Sequence, residues 1–300
     1  MHLPVRDYTL SPTTSITDLL AAWRHSGGFT ARLVAEAADI LRAMVADAEC
    51  TRFLAFPACI VATGLRGVLR QLVERRVFHC LVTTCGTLDH DIARSFADYF
   101  AGSFFADDIQ LRKEGVHRLG NIFIPLQNYG PLIEQKMREL LCDTTGVFAP
   151  HELWWRIGEQ LPPTSILHWT ARYRIPVIVP APYDGAVGYQ VWQLQQTQHL
   201  QIDPKKDEDL INDLVWEAKH LGALIIGGGV AKHHVIWWSQ FRGGLDYAIY
   251  ITTATEYDGS LSGARTHEAI SWGKVRATAR HITVPGEATL ILPLLAASVL

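Results

Sequence analysis

Five short runs along this sequence are apolar almost throughout, without the polar alternation of a half-exposed strand. They fall at residues 53–56, 78–84, 175–179, 223–226 and 245–251. Strands of that kind are buried on both faces, which in practice means a mostly parallel sheet with helices over each side. The intervening stretches 65–76, 87–100 and 207–221 carry the spacing of amphipathic helices, the last with a charged outer face. An α/β fold with a mostly parallel sheet and helices on both faces is therefore expected.

The first fifty residues read differently. Ser15 and Asp18 form a plausible helix start ahead of Leu19, Leu20 and Trp23. Gly27-Gly28 interrupts, and Leu33, Ala37, Ile40, Leu41 and Met44 make a second apolar stripe. Residues 1–50 are expected as an N-terminal helical extension, and 51–300 as one α/β domain. Further helices are expected at 132–141 and 151–161. Residues 101–130 look irregular, and the polar stretch 193–206 reads as a loop. There is no internal repeat or low-complexity tract.

With 48% hydrophobic and 19% charged residues and a net charge of −3, the chain has globular composition and no electrostatic footprint for nucleic acid or an anionic membrane. A cationic substrate is compatible with that balance. Cys50, Cys59, Cys80, Cys85 and Cys142 are odd in number and lack C-x-x-C spacing, against a disulfide framework or a structural zinc site. Their apolar neighbours suggest buried thiols in a reducing compartment. The N-terminus lacks the charged and apolar regions of a signal peptide, and the apolar C-terminus falls short of the ~20 residues that span a bilayer. A cytoplasmic location is the expectation.

Open α/β sheets place ligands beyond the carboxyl ends of their strands. Four such ends in succession carry small residues: Thr84-Cys85-Gly86, Asp184-Gly185, Gly227-Gly228-Gly229, and Thr253-Ala254 followed by Asp258. Glycines permit close approach to a nucleotide, and a carboxylate can bind ribose hydroxyls. Each turn taken singly is more often a tight turn than a ligand contact, and no G-x-G-x-x-G is present.

His233 and His234 would point about 100° apart on a helix, so they cannot make a one-face zinc pair. One is expected to be buried or capping while the other faces a site. The remaining histidines suggest no metal cluster. Lys274 follows Trp272-Gly273. A lysine becomes a nucleophile toward a carbonyl or imine carbon when its surroundings favour the neutral amine, and Trp272 could supply an apolar wall and a cation–π surface. An ordinary surface lysine is the plainer alternative.

Taken together, the runs Gly-Gly-Gly-Val-Ala-Lys-His-His (227–234), Asp-Tyr-Ala-Ile-Tyr-Ile-Thr-Thr-Ala (246–254), Glu-Tyr-Asp-Gly-Ser-Leu-Ser-Gly-Ala-Arg (256–265) and Glu-Ala-Ile-Ser-Trp-Gly-Lys-Val-Arg (268–276) resemble the deoxyhypusine synthase family. Leu-Val-Thr-Thr (81–84), Arg-Leu-Gly-Asn-Ile (118–122) and Ile-Pro-Val (175–177) fit it in the same order, so the likeness covers nearly the whole chain. It implies a Rossmann-like fold, a homotetramer built as a dimer of dimers, and NAD near the dimer interface. It also implies a reaction. Spermidine loses a hydride to NAD from the carbon beside its secondary amine, and diaminopropane leaves. The remaining aminobutyl group is held on Lys274 as an imine until an acceptor amine displaces the lysine. In that scheme His233 is the proton-transfer partner and Trp272 a wall of the amine channel, from which water must be excluded. The family pattern carries cofactor binding onto Thr84, Cys85, Gly86, Asp184, Gly228, Gly229, Thr253, Ala254, Asp258, Gly286 and Glu287.

The substrate end departs from that pattern. Tyr189 and Leu261 stand where the family has acidic residues, and Trp237 where it has an asparagine. The acidic pair after the Thr-Thr strand is altered to Asp89-His90, Ala58-Cys59 replaces Ser-Asn, and Glu287 replaces an aspartate. Two missing carboxylates would leave polyamine ammoniums without partners, while Glu268 remains as an amine anchor. These departures raise the expectation of an altered amine donor or acceptor, for example putrescine to give homospermidine. Authentic deoxyhypusine synthase and an idle NAD-binding or regulatory homologue are the alternatives.

Overall fold

The computed structural model describes residues 4–300; Met1, His2 and Leu3, which open the N-terminal stretch considered for a leader, lie outside the described residues. In chain order the elements are α1 (Ile16–His25), α2 (Phe29–Ala46), β1 (Cys50–Ala55), α3 (Leu65–Glu74), β2 (Cys80–Val82), α4 (Cys85–Phe96), β3 (Phe100–Ala101), α5 (Asp108–Lys113), β4 (Val116–Leu119), β5 (Ile122–Pro125), α6 (Gly130–Leu140) and β6 (Gly146–Phe148). They continue with α7 (Pro150–Gly158), α8 (Ile166–Tyr173), β7 (Val177–Ile178), α9 (Ala186–Thr197), β8 (Leu200–Ile202), α10 (Lys205–Glu217), β9 (His220–Ile226), α11 (Gly229–Ser239), β10 (Leu245–Thr252), α12 (Glu268–Ser271), β11 (Val275–Pro285) and α13 (Ala288–Ala296). The α/β class with mostly parallel pairing is as the apolar runs require.

The chain forms two compact units. The first comprises residues up to 56, 77–79 and 211–300. Within it β11, β10, β9 and β1 lie side by side, all parallel. Both faces of this sheet are covered, as the register shows. Gly222 of β9 turns toward α2, where an added Cβ would meet Met44 at 2.4 Å. Ile225, an odd number of residues away, faces the other side together with its partner Tyr250, and there Lys232 of α11 lies over the Tyr250 ring. Strand side chains alternate, so α2 and α11 cover opposite faces. Helix α2 thus packs on strands from the C-terminal third and α1 packs on α2, with Ser15 and Asp18 forming the capping box that starts α1.

The second unit comprises residues 57–76 and 80–210. It contains the parallel pair β2–β7, the parallel pair β6–β8 and a three-stranded antiparallel sheet in the order β3-β5-β4. Asp91 is its polar hub. Its carboxylate accepts from Arg66 Nε (2.7 Å), Ser165 Oγ (2.6 Å) and the amides of Ile166 and Leu167, so one buried group pairs a buried cation and caps α8.

Several expectations need correction. Residues 101–130 are not irregular: they hold α5 and most of the antiparallel sheet, in strands of two to four residues too short to show a period. The polar stretch 193–206 is not a loop but the end of α9, all of β8 and the start of α10. α4 begins at Cys85, not Thr87, which brings Cys85 and Gly86 into its first turn. The cysteines are all free; Cys50, Cys80 and Cys85 are buried, but Cys59 and Cys142 are exposed. The apolar C-terminus forms the nine-residue α13, and no helix among the described residues is long and apolar enough to cross a membrane.

Candidate active site

Lys274 occupies a fixed backbone position between α12 and β11. Its amide donates to Ala269 O (2.9 Å) and its carbonyl accepts from Leu245 N (3.0 Å). Gly273 before it has φ +66, a left-handed conformation that glycine adopts without strain and that turns the chain from α12 into the strand. The side chain is half-buried, with Nζ 5.2 Å from the centroid of the Trp272 ring. Both residues line a pocket of about 260 Å³ whose other walls include Lys232, Tyr250, Leu261 and Glu268. The expected lysine, tryptophan, glutamate and Leu261 therefore come together in one concavity. Trp272 is 66% exposed, so it forms the rim of the pocket.

His233 and His234 separate on α11 as their spacing demands. His234 is buried and burial pushes it down to about 4; His233 is exposed and shifted downward by partial burial and by the positive charge of Lys274. That coupling puts His233 within electrostatic reach of the lysine. Its ring stacks on Trp237 one turn along, at 5.8 Å and 18°, so Trp237 supports the histidine.

Lys232, which the sequence did not single out, is the least expected member. It is 1% exposed, donates from Nζ to the carbonyls of Leu261 and Ala264, and sits 4.2 Å from the centroid of the Tyr250 ring. Burial pushes its ammonium down to about 8, with the Glu268 carboxylate opposing the shift. Glu268 forms no ion pair among the described residues, and its carboxylate is the only one on the pocket wall.

The small-residue turns of the first unit gather at the carboxyl ends of its strands. Because β9, β10 and β11 are parallel neighbours, Gly227–Gly229, Thr253-Ala254 and Gly286-Glu287 all follow carboxyl ends; Gly227 N bonds Ile251 O (2.7 Å) and Gly286 N bonds Thr252 O (2.9 Å). α11 starts here without a side-chain cap, leaving its first turn suited to a phosphate. Gly229 has φ +66 with open space around it, whereas Gly228 is glycine because Ser262 rests on it: an added Cβ would lie 2.1 Å from Ser262 Oγ. Asp258 accepts from Ser260 N (2.7 Å), which holds its carboxyl below the usual range, and is exposed. Glu287 caps α13 through Thr289 N (2.9 Å). A bare helix start, an open left-handed glycine and an exposed carboxylate fit a dinucleotide.

In the second unit, Thr84, Cys85 and Gly86 start α4, also without a side-chain cap. The Cys85 thiol is buried, donates to Pro182 O (3.3 Å) and is pushed upward by burial, while its backbone lies in the first turn of α4. Asp184 is exposed beside Gly185, where an added Cβ would meet Cys85 Sγ at 2.8 Å. The start of α9 is already filled. Asp89 accepts from the amides of Ala186 (2.9 Å) and Val187 (2.7 Å) and from the Tyr129 hydroxyl (2.8 Å). Asp89 is therefore a buried cap fixing the Asp184-Gly185 turn. Tyr189 is exposed on α9, stacked with Trp192 at 5.8 Å.

Parallel strands with an uncapped, glycine-lined helix start at their carboxyl ends, together with a pocket that holds a half-buried lysine, place this chain among α/β proteins with a ligand-sized concavity on the sheet. The deoxyhypusine synthase family profile matches residues 18–299. The chain is 46% identical over 299 residues to the probable deoxyhypusine synthase of Picrophilus torridus, covering 98% of this chain and 96% of that one. It is 47% identical over 305 residues to that of Ignicoccus hospitalis, covering 99% and 95%. A crystal structure from Entamoeba histolytica assigned to deoxyhypusine synthase matches with TM-score 0.66 at 22% identity, covering 98% of this chain and 96% of that one, a likeness of fold. This chain belongs to the deoxyhypusine synthase family, whose members are NAD-dependent aminobutyl transferases.

Proposed function

We propose that this protein is a deoxyhypusine synthase, transferring the aminobutyl group of spermidine to a lysine of the hypusine-bearing translation factor. The observation that carries the reading is the Lys274 amine, half-buried in a pocket beside Trp272 and the unpaired Glu268. Near-full-length relatives bearing that name at 46–47% identity support it.

Bound NAD supplies the acceptor, and later the donor, for one hydride at the amine carbon, so the overall transfer is redox-neutral. Lys274 attacks the oxidised carbon, diaminopropane leaves, and the four-carbon fragment stays on the lysine as an imine. His233, poised neutral by partial burial and by its neighbour's charge, takes and returns the proton as amines exchange. Glu268 holds a terminal ammonium, while Trp272 and Tyr250 flank the methylene chain. In the first unit Gly228, Gly229, Thr253, Ala254, Asp258, Gly286 and Glu287 are the cofactor residues of this reading; in the second unit they are Thr84, Cys85, Gly86 and Asp184.

The register bears on assembly. Lys274 precedes Val275, the partner of Leu245, whereas Gly286 follows Pro285, the partner of Thr252. The ladder between them is roughly 23 Å long at about 3.3 Å per residue. That span exceeds the reach of the lysine side chain alone; a homo-oligomer, read as a tetramer, is the assembly proposed with this reading. The free cysteines accord with a reducing, cytoplasmic setting.

A second reading, a small-amine acceptor such as putrescine, is favoured by one observation: Leu261 on the wall leaves Glu268 as the pocket's single carboxylate. Labelled spermidine, NAD and the precursor of the translation factor decide between them. Label on the precursor's lysine supports the first reading. Label only in small amines supports the second, and no transfer to either acceptor overturns both.

A further inference from the structure

The segment 259–265 contains no regular element beyond turns, yet it touches both halves of the chemistry. Leu261, Ala264 and Arg265 line the lysine pocket, and Ser262 rests on Gly228 at the proposed phosphate turn. Internally it is held by little: Gly263 N and Ala264 N both bond Ser260 O at 3.1 Å. Its attachment to the body comes from side chains. Thr252 Oγ1 donates to Ser262 O (2.9 Å), and Lys232 Nζ donates to Leu261 O and Ala264 O (both 2.7 Å), bracketing that contact on either side. Thr266 N is bonded to Thr283 Oγ1 (3.0 Å) where the segment ends, and Arg265 pairs with Glu256.

An apolar side chain of the same length would fill the space occupied by Lys232 without the cost of burying an ammonium. What lysine alone adds there is a set of three N–H donors on one atom, two directed at carbonyls of the segment and the charge set against the Tyr250 face. We infer that Lys232 is a positioning residue: its ammonium ties segment 259–265 to α11 and so fixes the pocket wall against which the amine donor binds. The inference rests on the amine-transfer reading for the donor, and on geometry alone for the tether.

The test uses the full chain with Lys232→Met, which keeps length and removes the donors, and Lys232→Arg, which keeps charge and donors. Hydrogen exchange of 259–265 is measured without substrate, and KM and kcat for spermidine at saturating NAD. In the methionine variant the segment should exchange at least about tenfold faster, and KM should rise by about tenfold or more with a smaller change in kcat, as expected on losing charge-assisted hydrogen bonds. Arginine should recover part of both. Unchanged exchange, or faster exchange with unchanged KM, overturns the inference. Lys232→Gln, with a shorter donor arm, replaces methionine if that variant does not fold. A wild-type enzyme that transfers nothing from spermidine sinks the proposed function, while the exchange comparison still decides the tether.

Discussion

Replacing Asp91 by alanine tests the polar hub that holds α4, and with it the Thr84–Gly86 turn, to α8. The carboxylate is fully buried and accepts four hydrogen bonds, one from the guanidinium of Arg66, itself 7% exposed. Alanine leaves that cation without a counter-charge and two amides of α8 without a cap. Stranding one member of a buried pair costs about 3–5 kcal/mol, and the lost cap about 1 kcal/mol more. At roughly 2 kcal/mol per molar urea, the unfolding midpoint of the second unit should fall by about 2–3 M. Because the chain has two units, the transition is best followed by hydrogen exchange of peptides from residues 80–173 along a urea series. Arg66→Met should also destabilise strongly. The double variant should lose less than the sum by at least about 2 kcal/mol, since it removes the stranded charge. A single variant within about 1 kcal/mol of wild type, or strict additivity, would refute the argument.

Burial, reinforced by the charge of Arg94, pushes His90 down to about 4, and its Nδ1 meets the Tyr99 hydroxyl at 3.0 Å. The folded pKa lies below the unfolded 6.5, so the unfolded chain takes the proton first. The contribution of this group is complete above pH 6.5 and is lost toward pH 4, at up to about 1.4 kcal/mol per pH unit. His90→Gln should flatten that part of the stability profile in urea midpoints measured between pH 7.5 and 4.5; an unaltered slope would contradict the assignment. Gly228→Ala would place Cβ 2.1 Å from Ser262 Oγ and 2.5 Å from Ser262 Cα. NAD affinity by calorimetric titration should fall at least about tenfold at a stability cost of about 1–3 kcal/mol, and an unperturbed titration would show that Ser262 yields freely.

Much of the fold is legible because it rests on local chemistry. The capping box at Ser15 and Asp18 and the apolar runs within β9 and β10 announce themselves in sequence. The antiparallel strands β3 to β5 do not, being two to four residues long and largely half-exposed. β11 escapes because it mixes exposed with buried positions and breaks register between Val275 and Arg280. At the site, Lys274, Trp272 and Glu268 are carried by their motif, whereas the roles of Asp89 and Lys232 are tertiary. Asp89 caps a helix 97 residues away, and Lys232 is buried only because a segment about thirty residues later folds over it. In sequence Asp89 is only one half of an altered acidic pair; its role as a cap appears in the fold. Gly228 likewise reads as a cofactor glycine, though its immediate reason is Ser262.

The central claim is that the Lys274 amine carries a substrate fragment. Incubating the enzyme with NAD and labelled spermidine, reducing with borohydride and mapping the label by peptide mass spectrometry addresses it directly. The account predicts a four-carbon aminobutyl adduct on Lys274 that requires NAD and disappears in Lys274→Ala. An adduct on another lysine, or transfer that persists in the alanine variant, would contradict it.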